Sequence, residues 1–132
     1  METSLARSEL EEMRATFDKL QKLYGTVLPK VDPALTNDIL TREKVTRQPL
    51  RYTIEVFTKE GIDIEQARHY IYQKTGMMPA IYDNGTHYVT NQILGLEMLK
   101  EISDCNDVVE VRGSYCGGIG MRAACYERAH HR

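Results

Sequence analysis

The pair Asn84-Gly85 stands between two short runs rich in strand-forming residues, 78–82 and 87–90. A tight turn whose twist matches two antiparallel strands needs positive φ at both central positions, and asparagine and glycine tolerate that best. The pair therefore predicts a hairpin and sets its register. Tyr82 faces His87, Ile81 faces Tyr88 and Ala80 faces Val89. A register fixed at one turn also decides which side chains share a face, because strand side chains alternate.

The flanking sequence extends this hairpin into a larger plan. Residues 52–58 alternate, with Tyr52, Ile54 and Val56 on one face and Thr53, Glu55 and Phe57 on the other, as a half-buried strand does. Asp63, with Gln66 three residues on, predicts a helix N-terminus. Ile64, Ala67, Ile71 and Tyr70 supply the apolar stripe of that helix, and Gly76 ends it. After the hairpin, Asn91 predicts the cap of a second helix over 92–103, with Leu94, Met98, Leu99 and Ile102 facing inward and Gly95 inside it. Residues 108–112 read as a fourth strand. The order β-α-β-β-α-β predicts an α+β protein with a ferredoxin-like core, that is, an antiparallel sheet with its helices on one face.

Ahead of this core, Leu10, Met13, Phe17, Leu20, Tyr24 and Val27 recur at alternating spacings of three and four, an a/d heptad stripe. Ser4 or Ser8 predicts the start of that helix and Gly25 its end. A helix this short is marginal alone in water, so its apolar stripe must be covered, either by its own domain or by another copy. Residues 1–28 are thus an added N-terminal helix. Residues 29–50, punctuated by Pro29, Pro33 and Pro49, are a connector in which Asp32 and Pro33 predict a short helical turn. Arg42, Lys44 and Arg47 read as a solvated, charged part of it. Residues 51–112 are the core, and 113–132 a glycine-rich loop with a tail or short helix.

The chain of 132 residues is long enough for one real core, and its 42% hydrophobic and 27% charged residues suit an ordinary globular domain. A formal net charge of −2 provides no field to draw nucleic acid or anionic lipid, and neither is expected as a partner. No apolar run reaches the roughly 20 residues of a membrane span. Met1-Glu2-Thr3-Ser4 lacks the basic-then-apolar pattern of a secretion signal, so a cytoplasmic location is expected, with the three cysteines Cys105, Cys116 and Cys125 reduced.

Residues 52–59, a helix, the run Met78-Pro79-Ala80-Ile81-Tyr82-Asp83-Asn84-Gly85 and a further helix together resemble pieces of glutaredoxins and thioredoxins. That resemblance implies a cis-proline at Pro79 and gives a degenerate thioredoxin-like fold as the alternative. It implies no redox chemistry here. The family needs cysteine at the first helix N-terminus, where the dipole lowers the thiol pKa. This chain has Glu60-Gly61-Ile62-Asp63 there and no CxxC.

The segment Gly113-Ser114-Tyr115-Cys116-Gly117-Gly118-Ile119-Gly120-Met121-Arg122 is the densest unusual stretch. Glycines let backbone N–H groups turn toward an anion, so Gly117, Gly118, Gly120 and Arg122 are candidate ligand-binding residues. The loose G-x-G-x-x-A match has no second βα unit to complete a dinucleotide site. Cys116, Cys125 and His130 have metal-binding side chains, but C-x8-C-x4-H-H matches no metal template, and neither a metal nor another cofactor is expected. Tyr82 and His87 share one face of the hairpin, which is either core or open surface; on the open side they form, with Glu55 and Phe57 of the 52–58 strand, a second candidate ligand surface. They bring no nucleophile–base pair and no paired carboxylates, so the chain reads as non-catalytic. The expectation is a small regulatory or assembly protein that binds a protein partner and associates with itself through Leu10, Met13, Phe17, Leu20 and Tyr24. The alternative is a small phosphate-binding or anion-binding domain, or an enzyme subunit, using residues 113–122.

Overall fold

The computed structural model describes residues 2–117. Among them are four helices, α1 (Glu2–Val27), α2 (Pro33–Val45), α3 (Ile64–Thr75) and α4 (Leu96–Ser103). Four strands, β1 (Arg51–Thr58), β2 (Ala80–Tyr82), β3 (His87–Ile93) and β4 (Val108–Gly117), form one sheet in the order β2-β3-β1-β4. Every neighbouring pair is antiparallel. The chain is therefore an α+β protein, and no described helix is long and apolar enough to cross a membrane.

The hairpin has the register its turn dictates: Ala80 pairs with Val89, Ile81 with Tyr88 and Tyr82 with His87. Asp83, Asn84 and Gly85 all take positive φ, at 53°, 57° and 95°. Gly85 is also buried, and a Cβ built on it would lie 2.8 Å from Ile64 Cγ1. Its carbonyl accepts a hydrogen bond from the Thr58 hydroxyl at 2.8 Å. The turn is thus tied to both β1 and the first residue of α3.

The alternation of β1 divides the molecule. Tyr52, Ile54 and Val56 are completely buried and cluster with Tyr88 and Val111 from the sheet. Leu35 and Ile39 of α2, Ile71 of α3 and Leu99 and Ile102 of α4 join the same cluster. Val56 pairs with Tyr88 on one side and Val111 on the other, which places these side chains on one face. Phe57 pairs with His87, and Tyr82 with His87, so those three belong to the opposite face.

Several local expectations need correction. The connector contains α2, a 13-residue helix whose N-cap Asp32 accepts from the Ala34 N–H at 3.0 Å. Its Leu35, Thr36 and Ile39 are buried. α1 continues through Gly25 to Val27. Asn91 caps no helix: it pairs with Thr53 inside β3, and Gly95 takes the N-cap position of α4. Strand pairing satisfies the backbone of residues 91–93 more completely than an early helix turn would. Residues 113–117 continue β4, where the close approach of β1 explains the glycine. A Cβ on Gly113 would lie 2.9 Å from both Ile54 Cγ2 and the Thr53 carbonyl oxygen. Pro79 follows a trans peptide bond, unlike the cis-proline implied by the thioredoxin resemblance.

Substituting Gly85→Ala should destabilise the domain by about 1–3 kcal/mol, because the turn conformation and Ile64 both oppose a methyl group. Urea unfolding checks this: the midpoint should fall with an unchanged slope, and an unchanged midpoint would contradict it.

Candidate functional site

The open face of the sheet gathers residues from four strands. β1 contributes Glu55 and Phe57, β2 Tyr82, β3 His87 and β4 Arg112. The His87 ring stacks on Phe57, with centroids 4.5 Å apart and planes 8° from parallel. Tyr82 approaches the same imidazole at 5.6 Å, tilted by 40°. On the far side, the Arg112 guanidinium carbon lies 4.7 Å from the Phe57 ring centroid, a cation–π arrangement. The result is a layered row of guanidinium, phenyl, imidazole and phenol, in which one flat surface is extended by each strand in turn.

Carboxylates border this row. Glu55 Oε1 lies 3.7 Å from His87 Nε2, and Asp83 Oδ2 lies 3.8 Å from Nδ1. Both separations exceed hydrogen-bond length. His87 Nε2 is fully buried and has no hydrogen-bond partner. Glu110 lies 3.6 Å from Arg112 and offsets its charge. Such a surface can stack on a flat apolar or aromatic group and repels phosphate. Among the described residues, no serine or cysteine nucleophile has a contact with His87.

The structure brings Tyr82 and His87 together as the register requires. Gly117 lies at the end of β4, buried and paired with Arg51, while Gly118, Gly120 and Arg122 lie outside the described residues. Cys116 is buried, with its sulfur 2.9 Å from the Thr53 hydroxyl oxygen. Cys125 and His130 also lie outside the described residues. Among the described residues, no three His, Cys, Asp or Glu side chains converge as a metal cage would require.

The heptad residues of α1 divide in two. Leu10, Met13 and Phe17 are 49%, 69% and 59% exposed, and Leu20 is partly covered. Tyr24 is buried against its own domain, where its hydroxyl donates to Asn37 Oδ1 at 3.2 Å. Every residue from Leu5 to Lys19 is exposed. The helix therefore docks by its last turns and extends away from the domain over the rest of its length.

Sequence reasoning missed a polar cluster at the other end of the core. Tyr52 donates to Asp38 Oδ2 at 2.7 Å, and Arg42 Nε donates to the same oxygen at 2.9 Å. The Arg42 guanidinium lies 3.6 Å above the Tyr115 ring. Asp38 and Arg42 are four residues apart, a helical spacing that could have revealed α2. Burial, and then the bond to Asp38, raise the Tyr52 phenol far above its ordinary pKa. Burial does the same to Tyr88.

Comparison of the chain with protein-family models, curated proteins and solved structures found no match.

Above the ordinary tyrosine pKa of 10.0, the unfolded chain releases the Tyr52 and Tyr88 protons while the folded chain keeps them. The folded form then holds more protons, so stability should fall as pH rises past that value. Absorbance titration at alkaline pH checks this. Of the eight tyrosines, these two should ionise only as the circular dichroism of the fold is lost. Ionisation of all eight with the fold intact would contradict it.

Proposed function

We propose that this chain is a non-catalytic assembly or regulatory protein that pairs with a second copy of itself through α1 and offers its open sheet face to a protein partner. The observation that carries this reading is the exposed apolar stripe. Leu10, Met13 and Phe17 recur at heptad spacing on a helix whose described side chains up to Lys19 are all exposed. Large apolar side chains repeated on one helix face in this way are the seam of a two-helix pair. Burying one such side chain contributes about 1.5–3 kcal/mol.

Charge supports a second copy as the occupant. With Leu10 and Met13 at the a and d positions, Glu9 falls at g and Arg14 at e of the next heptad. In a parallel pair of identical helices, g of one chain faces the following e of the other, so each Glu9 meets an Arg14 of the second copy. Pairing ends before Tyr24, whose contact with Asn37 commits the last turns of α1 to its own domain.

The strand order β2-β3-β1-β4, with a helix between β1 and β2 and another between β3 and β4, supports the ferredoxin-like plan. In that plan the second sheet face is free for recognition, and here it carries the Phe57–His87–Tyr82 row. Its location is taken to be the cytoplasm.

Light scattering behind size exclusion tests the self-association. The full chain should elute as a dimer that dissociates on dilution. A variant with both Leu10→Glu and Phe17→Glu should have the mass of one chain and an unchanged thermal transition of the core, because neither side chain packs on it. A monomeric full chain at every concentration would overturn the reading.

A further inference from the structure

The core face of the sheet also holds a cavity, and this second feature is independent of α1. It measures about 500 Å³ and lies between α3, β3 and the start of β4. Small-molecule sites typically span roughly 300–1,000 Å³. The cavity exists because α3 sits loosely over the sheet: among its residues only Ile71 is buried. Ile62, Ala67, Ile71 and Val108 give it apolar walls.

Three hydrogen-bonding side chains converge there. Tyr88 lines the cavity and is 9% exposed, and its hydroxyl makes no hydrogen bond with any described residue. Tyr70 and Cys105 line the same wall, and the Cys105 thiol donates to the Glu101 carbonyl at 3.5 Å. Cys105 is a free, partly buried cysteine. Burial is the largest cause of the raised pKa of both Tyr70 and Tyr88, so both phenols stay neutral donors. The Tyr88 hydroxyl opens onto the cavity, where it is available to donate to a ligand acceptor in place of water. At the rim, Asp63 and Asp107 disfavour an anion.

We propose that this cavity binds a small uncharged molecule with an apolar body and one hydrogen-bond acceptor, to which the Tyr88 hydroxyl donates. The apolar walls cover the body of the ligand, and the rim carboxylates select against negative charge. Ala67 marks the space the body occupies, because a larger side chain at that position on α3 projects into the cavity.

The test uses the full chain and prodan, an uncharged naphthalene bearing a ketone, whose emission moves to the blue in apolar surroundings. Wild type should bind it saturably at one site. Ala67→Phe, which fills the cavity, should weaken binding at least tenfold, and Tyr88→Phe, which keeps the ring and removes the hydroxyl, severalfold. The doubly substituted α1 variant, Leu10→Glu with Phe17→Glu, should bind as wild type does, which separates this cavity from the exposed helix stripe. The anionic dye anilinonaphthalene sulfonate should bind at least tenfold more weakly than prodan. Bound prodan should also slow alkylation of Cys105, read by peptide mass mapping, and this measurement decides the matter if Ala67→Phe does not fold. No saturable binding, binding indifferent to Ala67→Phe and Tyr88→Phe, binding lost in the α1 variant, equal binding of the anionic dye, or an unprotected Cys105 would each overturn the proposal.

Discussion

β1 has a hydrogen-bonded strand on each side, and its inward residues Tyr52, Ile54 and Val56 are completely buried. An internal strand covered in this way has one permitted register, because a slip of one residue would expose all three side chains and bury Glu55. The helices are then positioned by what β1 presents. Tyr52 reaches beyond the sheet to Asp38, and Asp38 in turn holds Arg42 over Tyr115, so α2 is fixed on the sheet by one buried phenol and one carboxylate. β4 must lie close enough to β1 that position 113 has no room for a Cβ. The same alternation sends Glu55 and Phe57 to the opposite face, where they meet His87. Core and open face are two consequences of one constraint.

That constraint does not extend to α1. Its last turns are held by Tyr24 and by Lys100, whose ammonium donates to the Val27 carbonyl at 3.2 Å. Ahead of them the helix has no partner within the described residues that covers Leu10, Met13 or Phe17. Surface ion pairs such as Arg14–Glu11 contribute little to holding an isolated helix. Tertiary burial is what stabilises most helices, and here a long helix carries its apolar face away from its own core. The second copy proposed above would supply that burial.

The parts of the fold that were legible in the sequence are those fixed by local chemistry. Asn84-Gly85 gave the hairpin register because few residue pairs tolerate two successive positive φ values, and Asp63 marked the start of α3 through side-chain bonds to two backbone N–H groups. The Tyr82–His87 pair followed from that register, whereas the stacking of Phe57 on His87 depends on the pairing of β1 with β3. The parts that were not legible depend on contacts distant in sequence. α2 carries few apolar residues and is held by Tyr52, fourteen residues from Asp38. Asn91 has the side chain of a helix cap, but pairing with Thr53 keeps it in a strand. Gly113 reads as a loop residue until the approach of β1 shows why glycine is needed inside β4. The cavity could not be read at all, since it depends on the distance at which α3 stands from the sheet.

The ends of α3 are closed by local bonds, and its N-terminus touches the turn. At the N-terminus, Asp63 bonds the N–H groups of Glu65 and Gln66, and Ile64 rests against the buried turn at Gly85. At the C-terminus, Lys74 forms a 2.7 Å ion pair with Glu101 of α4, and the Thr75 hydroxyl closes the last turn. Ile71 is the one buried residue of α3, so the helix has a single fully buried apolar anchor on the sheet. The cavity lies between this helix and the sheet. Because Tyr88 stands in that space on the same strand that carries His87 on the opposite face, β3 links the two surfaces. A change in the position of β3 would be felt at both.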